Sequence, residues 1–330
     1  MARSAKKPRG GGKPNLRKTY LGRLSKVFGV REAVAERLAS TQLRSSIRIN
    51  TLSPLSGDEI KAKLDAFGAE LEPIDWCPGA YHLHSDKRAL AESELFQDGH
   101  VYIQNASSLI PGLAMQPQAG ERILDVCAAP GGKTSHIQAL AQGGAEMIAN
   151  DAMKPRLKKL EEVLTTFHVP NAMITNFEGQ FIDRHVDDLG DGLFDRILLD
   201  AQCSGEGMLD LSHPGALRFW SMDRVIKMSY LQQKMLTAAW KLLKPGGVLV
   251  YSTCTFGPEE NEGPVSRHLK HNADASIEPI DLDIPGRKPG LKSWDGQAFH
   301  ADVKHAVRVI PSEFLEGFFV CRLRKNKPIS

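Results

Sequence analysis

No stretch of the chain approaches the roughly 18 consecutive apolar residues that a membrane-spanning helix needs, and its basic opening runs into Pro8 and Gly10-Gly11-Gly12 rather than an apolar signal core. Neither membrane association nor secretion is expected, and the compartment read from this is cytoplasmic. Cysteine is scarce. The five residues Cys77, Cys127, Cys203, Cys254 and Cys321 are odd in number and form no C-x-x-C pair, which argues against a disulfide framework or a thiolate zinc site and for reduced thiols. His82/His84 and His268/His271 lack a third ligand, so no metal is expected. Acid is missing from the first 31 residues, which hold ten Lys/Arg, whereas the other 299 hold 32 basic and 39 acidic residues. The net charge of +3 conceals a basic arm on a mildly acidic body.

What is present is ordinary for a globular chain: 42% apolar and 25% charged residues, in a length of 330 that suits about two domains. Residues 1–19, rich in Lys, Arg, Gly and Pro, read as a disordered basic tail. Residues 20–115 combine a helical arm, broken at Gly29, with a small α+β domain. Its strands are expected at Ser46–Leu52, Glu70–Trp76 and Tyr81–His84, and its helix is opened by Ser56-Gly57-Asp58 and stopped by Gly68. Residues 116–330 alternate strands with helices, the pattern of a doubly wound α/β fold with a mostly parallel sheet. Strands are expected at Ile123–Val126, Met147–Ala149, Ala172–Thr175, Phe194–Leu199 and Val248–Ser252, with a long helix over Met222–Leu243 closed by Pro245-Gly246-Gly247. Val307–Ile310 and Gly317–Leu323 read as two further strands forming an antiparallel edge.

Open α/β sheets bind ligands beyond the carboxyl ends of their strands, and here all five strand ends are polar or thiol-bearing. The first gives Cys127-Ala128-Ala129-Pro130-Gly131-Gly132-Lys133-Thr134, small residues that let backbone N–H groups approach a ligand at a helix start. The second gives Asp151, placed to hold ribose hydroxyls as an acid about 20 residues on does in nucleotide-binding βαβ units. Asn176-Phe177-Glu178-Gly179, Asp200-Ala201-Gln202-Cys203-Ser204-Gly205 and Ser252-Thr253-Cys254-Thr255 follow the other three. Gly132-Lys133-Thr134 imitates the end of a phosphate-binding P-loop, with Asp200 as the metal-binding acid. Against a P-loop NTPase, Cys127 occupies the place of the leading Gly, Pro130 removes a donor N–H, and both later thiols are left unexplained.

Two thiols suit a different reaction. Carbon 5 of cytosine becomes nucleophilic only after a thiolate adds at C6 and N3 gains a proton. A site for methylating it needs a reactive Cys, a carboxyl group facing N3, a methyl donor in a nucleotide-like pocket, and help in releasing the adduct. Cys254, Asp200, the Cys127–Lys133 loop with Asp151, and Cys203 would supply these in order.

At these residues the sequence resembles the Sun (Fmu) family of RNA cytosine-C5 methyltransferases, closest to its bacterial rRNA-modifying members. The resemblance rests on Asp125 to Thr134, Asp200 to Gly205 and Tyr251 to Thr255 with Pro258-Glu259-Glu260-Asn261-Glu262. Arg48-Ile49-Asn50-Thr51-Leu52 and Gln104-Asn105-Ala106-Ser107-Ser108 add N-terminal signatures. It implies a Rossmann-like S-adenosylmethionine domain at 116–330 preceded by an α+β RNA-binding domain, with Cys254 as nucleophile, Cys203 assisting adduct breakdown, and Asp200 and Lys133 in the catalytic pocket. For S-adenosyl-L-methionine it implies Cys127, Ala128, Ala129, Pro130, Gly131, Gly132 and Lys133 on the methionine moiety, Asp151 on the ribose, Glu178 near the adenine, and Asp200 bordering it. Gln202 stands where the family usually has Pro, which opens the alternative of a degenerate enzyme kept as an RNA-binding or ribosome-assembly factor. The implied partner is RNA, rRNA before tRNA and on a ribosomal subunit or free, met by a monomer. Because the body is acidic, phosphate attraction is expected from residues 1–31, Arg44, Arg48 and the Arg322/Arg324/Lys325/Lys327 tail.

Overall fold

A computed structural model describes residues 16–190 and 192–327. Residues 1–15 of the expected tail lie outside the described residues, and its last four are helical, because α1 (Leu16–Phe28) begins at Leu16. The arm is not a free appendage. Tyr20, Leu21, Leu24, Val27 and Phe28 recur at helical spacing and are buried against Leu211, Leu217, Trp220 and Phe256. Gly29, at φ 67°, breaks the helix before α2 (Glu32–Leu38), as its position predicts.

The first sheet is antiparallel in the order β2-β3-β1-β4, built from β1 (Ser46–Ile49), β2 (Leu71–Pro73), β3 (Ala80–Leu83) and β4 (Val101–Gln104). The helix α3 (Gly57–Phe67) packs on it, capped by reciprocal Ser56–Glu59 bonds and ended by Gly68 at φ 79°. Two short helices follow, α4 (Lys87–Glu92) and α5 (Glu94–Gln97). The second strand is shorter than expected: Pro73 has no N–H to extend the ladder, and Cys77 N–H turns back to the Ile74 carbonyl. Asn50, just past β1, donates to the carbonyls of Gly99 and Phe167 at 2.8 and 2.9 Å and so ties this sheet to the next domain.

The larger sheet follows α6 (Ile110–Met115). Its parallel strands are β5 (Arg122–Asp125), β6 (Glu146–Asn150), β7 (Ala172–Thr175), β8 (Phe194–Asp200) and β9 (Leu243–Thr253), linked by α7 (Gly132–Leu140), α8 (Lys154–Thr166) and α9 (Met222–Leu242). The order β7-β6-β5-β8-β9 reverses direction between β5 and β8, the switch point where ligands gather. After α10 (Glu262–His271) come β10 (Ala275–Glu278), β11 (Arg287–Pro289), the two-residue pair β12 (Ser293–Trp294) and β13 (Gln297–Ala298), then β14 (Val307–Val309) and β15 (Phe318–Lys325). The last two are antiparallel, as expected, and extend the parallel set beyond β9, with β11 as the outermost strand. β15 lies between β9 and β14, with Phe319, Val320, Cys321 and Leu323 fully buried, and β11 lies outside β14. Pro245-Gly246-Gly247 does not follow a free helix end either; α9 passes directly into β9 at Leu243, and these residues form an irregularity beside Phe194–Arg196. Core side chains fill both faces of this sheet, Met235, Leu236 and Ala239 of α9 on one, Ile110, Ala114 and Ile137 on the other.

Candidate active site

Strand β5 carries an apolar run because both its faces are covered, and it delivers Asp125 to the switch point fully buried. Thr134 Oγ donates to its carboxyl at 2.7 Å and the Cys127 N–H at 3.3 Å, which makes Asp125 the internal brace of the loop. Burial, with Asp200 adding to it, still pushes Asp125 up to about 7. Gly132 lets Tyr102 close over the loop, since a Cβ there would stand 2.8 Å from the Tyr102 hydroxyl and force that ring to move.

Lys133, the second residue of α7, reaches Asp200 at the end of β8: Nζ lies 2.8 Å from Oδ2, while Ser252 Oγ of β9 donates to Oδ1 at 2.7 Å. Burial works against the ammonium charge, but the Asp200 carboxylate outweighs it and holds Lys133 protonated. Beyond the same two strands, Cys203 Sγ and Cys254 Sγ stand 3.3 Å apart. Their neighbours have opposite charge. Cys254 acts electrostatically on Lys133, whereas the Cys203 thiol is pushed up by its hydrogen bond to Cys254, by burial and by Glu260. The two sulfurs thus sit in different electrostatic surroundings, Cys254 with the Lys133 ammonium and Cys203 with the Glu260 carboxyl.

Gln202 is exposed, and its loop does not depend on a proline. Gln232 of α9 donates to the Gln202 carbonyl and to Glu260 Oε2, both at 2.9 Å, and the same Glu260 oxygen accepts the Ser204 N–H at 2.9 Å. The Gln202 N–H, which proline lacks, bears on the Cys127 thiol. One turn later, Gly207 N–H donates to the Cys254 carbonyl at 2.9 Å, in a crowded place: a Cβ on Gly207 would stand 2.0 Å from the Gly317 carbonyl oxygen.

On the cofactor side, a cavity of about 260 Å³ is lined by Cys127, Ala128, Ala129, Pro130, Gly132, Lys133 and Asp200 together with Tyr102, Gln104 and Asn105. Gln104 Nε2 is buried there with no hydrogen-bond partner. An unpaired donor beside a loop of small residues fits a ligand bearing acceptor groups, as S-adenosylmethionine does through its carboxylate. Asp151 lies beside the loop but is engaged: its carboxylate accepts from the N–H groups of Ala129 and Met153 and pairs with Arg156 at 3.0 Å. Glu178 is exposed, accepts from Gln180 at 2.8 Å and stands outside the cavity lining. Among the described residues no cluster of His, Cys, Asp or Glu could hold a metal ion, and no helix is long and apolar enough to cross a membrane.

Sequence reading missed Glu316. Burial and Asp200 push its carboxyl up, Lys133 opposes them, and the outcome is about 7. Its loop is tied to the N-terminal signature: Ser107 Oγ donates to the Glu316 carbonyl at 2.9 Å. Only its place just before an apolar strand marked it. Several expected phosphate-binding cations are structural instead. Arg48 is 4% exposed and donates to Ser135, Arg322 and Arg324 both pair with Glu278, and Lys325 donates to the carbonyls of Trp240 and Leu243.

A Rossmann-like sheet with a glycine-rich loop at its switch point and paired thiols across the next two strand ends defines a methyltransferase class. Residues 112–324 match the family model described as 16S rRNA methyltransferase RsmB/F, residues 16–106 match that for the N-terminal domain of 16S rRNA methyltransferase RsmF, and the chain belongs to this family. The tRNA (cytosine(49)-C(5))-methyltransferase of Pyrococcus abyssi is 38% identical over 86% of this chain and 89% of its own length. Ribosomal RNA small subunit methyltransferase F of Serratia proteamaculans is 36% identical over 87% of this chain; the match spans 58% of that longer protein. A solved structure of a methyltransferase homolog from Pyrococcus horikoshii superposes with a TM-score of 0.75 at 29% identity, covering 95% of this chain and 99% of that one. The family, fold and S-adenosylmethionine cofactor read from the motifs therefore hold.

Proposed function

We propose that this chain transfers a methyl group to carbon 5 of a cytosine in RNA through a covalent bond between Cys254 Sγ and C6. The observation that carries the reading is the pair of sulfurs 3.3 Å apart beside the Lys133–Asp200 pair. The Cys254 thiolate adds to C6 while a proton reaches N3 from the Lys133–Asp200 pair; the C5=C6 double bond is lost, a C4=C5 double bond forms, and C5 becomes the nucleophilic carbon of an enamine. S-adenosylmethionine, when bound, supplies the electrophilic methyl group. After methylation a base takes the C5 proton, N3 gives up its own, and the Cys254 thiolate is expelled; Cys203 hydrogen-bonds to that sulfur as it leaves. The Cys127–Lys133 loop would hold the methionine moiety and Asp151 the ribose once Arg156 yields it; Glu178 would approach the adenine only by moving in from the surface. The target base must leave its stack to be attacked from above its ring, so the substrate is single-stranded or locally opened RNA, read by a monomer in the cytoplasm.

Small-subunit rRNA, free or in a ribosomal particle, is the substrate that the family descriptions support. The 38% identity to a tRNA enzyme favours tRNA as the second reading. Bisulfite mapping of cellular RNA with and without the gene separates them. Cys254→Ala is expected to abolish methyl transfer and adduct, and Cys203→Ala to accumulate a stable protein–RNA adduct; the reverse pattern would exchange the two roles. No transfer to any cellular RNA, with RNA binding intact, would leave an RNA-binding or ribosome-assembly factor.

A further inference from the structure

The segment between the Cys203 loop and α9 presents an aromatic ring to solvent although its neighbours are anchored. Phe219 is 69% exposed, the most of the large apolar side chains described. Trp220, the next residue, is 5% exposed, packs edge-on to Tyr20 at 5.0 Å and donates from Nε1 to Glu206 Oε1 at 2.7 Å. Leu217 on the other side is buried in the same cluster. The backbone is thus fixed, and the exposed ring is displayed rather than frayed. A single exposed apolar side chain is ordinary by itself, so what Phe219 does is decided by the groups around it.

Two further observations say what it meets. The Arg218 guanidinium lies over the Phe219 ring, 4.3 Å from its centre. Arg218, Arg224 and Lys227, all exposed, have no carboxylate within ion-pair distance among the described residues, and Asp223 is the one acid between Phe219 and Lys227. An aromatic face with a stacked guanidinium and unpaired cations is the chemistry of a single-stranded nucleic-acid platform. Its place is set by one side chain: the Glu206 carboxylate accepts from Trp220 through Oε1 and from Thr255 through Oε2 at 3.0 Å. Phe219 and Cys254 are therefore each one residue from the two partners of a single carboxylate.

We infer that Phe219 and Arg218 form a stacking platform at the rim of the thiol site, which holds an unpaired base of the RNA strand flanking the cytosine attacked by Cys254. The assignment rests on RNA being the substrate. Removing a base from a helix leaves its neighbours without a stacking partner, and an exposed ring on the segment that Glu206 ties to the strand end carrying Cys254 can replace that partner.

The test uses the full chain and a fluorescein-labelled twelve-residue oligo(C) RNA, whose binding is read by anisotropy and needs no turnover. Phe219→Ala is expected to weaken binding about tenfold, the loss of one stacked base, while Phe219→Trp restores it. Arg218→Ala is expected to weaken binding and flatten its salt dependence. S-adenosylmethionine affinity and the thermal unfolding midpoint should stay at wild-type values. Oligo(C) affinity within twofold of wild type for Phe219→Ala would overturn the inference and make the patch a protein-binding surface. Failure of the wild type to methylate RNA would count against the proposed reaction alone, because oligo(C) binding is measured separately from it.

Discussion

The two cysteines at the centre of the site differ less in their own positions than in the charges set beside them. Lys133 stands by one and Glu260 by the other, and each of those charges is held by a further contact, Asp200 and Gln232 respectively. Buried acids carry a measurable signature here. Asp125, at about 7 in the fold against an ordinary value near 4, binds its proton more tightly folded than unfolded. Its contribution to stability is full below the unfolded value and is lost as pH rises through about 7. Glu260 and Glu316, both also at about 7, act in the same direction. These three acids should therefore lower the stability of the ligand-free protein between pH 5 and pH 8, offset in part by His136 and His268, which burial holds neutral, and Asp125→Asn should remove on the order of 3 kcal/mol of that loss, read as urea midpoints at the two pH values. An unchanged slope in Asp125→Asn would show that Asp125 is ionised throughout.

Among the elements, α1 has the least obvious task in sequence and one of the clearest in structure. Arg23 donates to Glu259 at 2.8 Å and lies 3.6 Å from Glu206, and the Tyr20 hydroxyl donates to the Glu206 carbonyl at 3.1 Å. The helix thereby clamps both segments that flank the thiols. Arg23→Met leaves Glu206 buried with its charge partner gone, and a loss on the order of 3 kcal/mol in urea unfolding is expected; a loss below about 0.5 kcal/mol would fit a surface pair instead. This role explains what was legible beforehand. Local signals were readable where the physics is local: Ser56, Glu59 and Gly68 bound α3, and strand ends carried Asp200, Cys203 and Cys254 to one place. Features set by distant pairing were not, such as the interior position of β15, the Pro245-Gly246-Gly247 irregularity within β9, and Glu316, whose carboxyl matters only because Lys133 and Asp200 face it. Arg48 read as a phosphate ligand because a sequence shows charge but not burial.

For the whole molecule, the division of charge changes meaning. Residues 1–31 look like one basic arm, yet from Leu16 onward they are a helix whose apolar face belongs to the core and whose Arg17 and Arg23 are paired with Glu36 and Glu259. Electrostatic capture of RNA by the N-terminus then falls to residues 1–15, with the exposed Lys26 and Arg31 beside them. Deleting residues 1–15 should weaken RNA binding and reduce its salt slope with no change in S-adenosylmethionine affinity or unfolding midpoint, whereas deletion to residue 31 should destabilise the fold. Equal RNA affinity after the shorter deletion would make those residues a solubilising tail.

The contact between Gly207 and Gly317 joins the thiol loop to the entry of the last strand. β15 pairs with β9 behind Cys254, and Glu316 just before it faces the Lys133–Asp200 pair. A Cβ on Gly207 would meet the Gly317 carbonyl and one on Gly317 the Phe256 ring, so a larger residue at either position is expected to pry the thiol loop from β15 and to spoil both together.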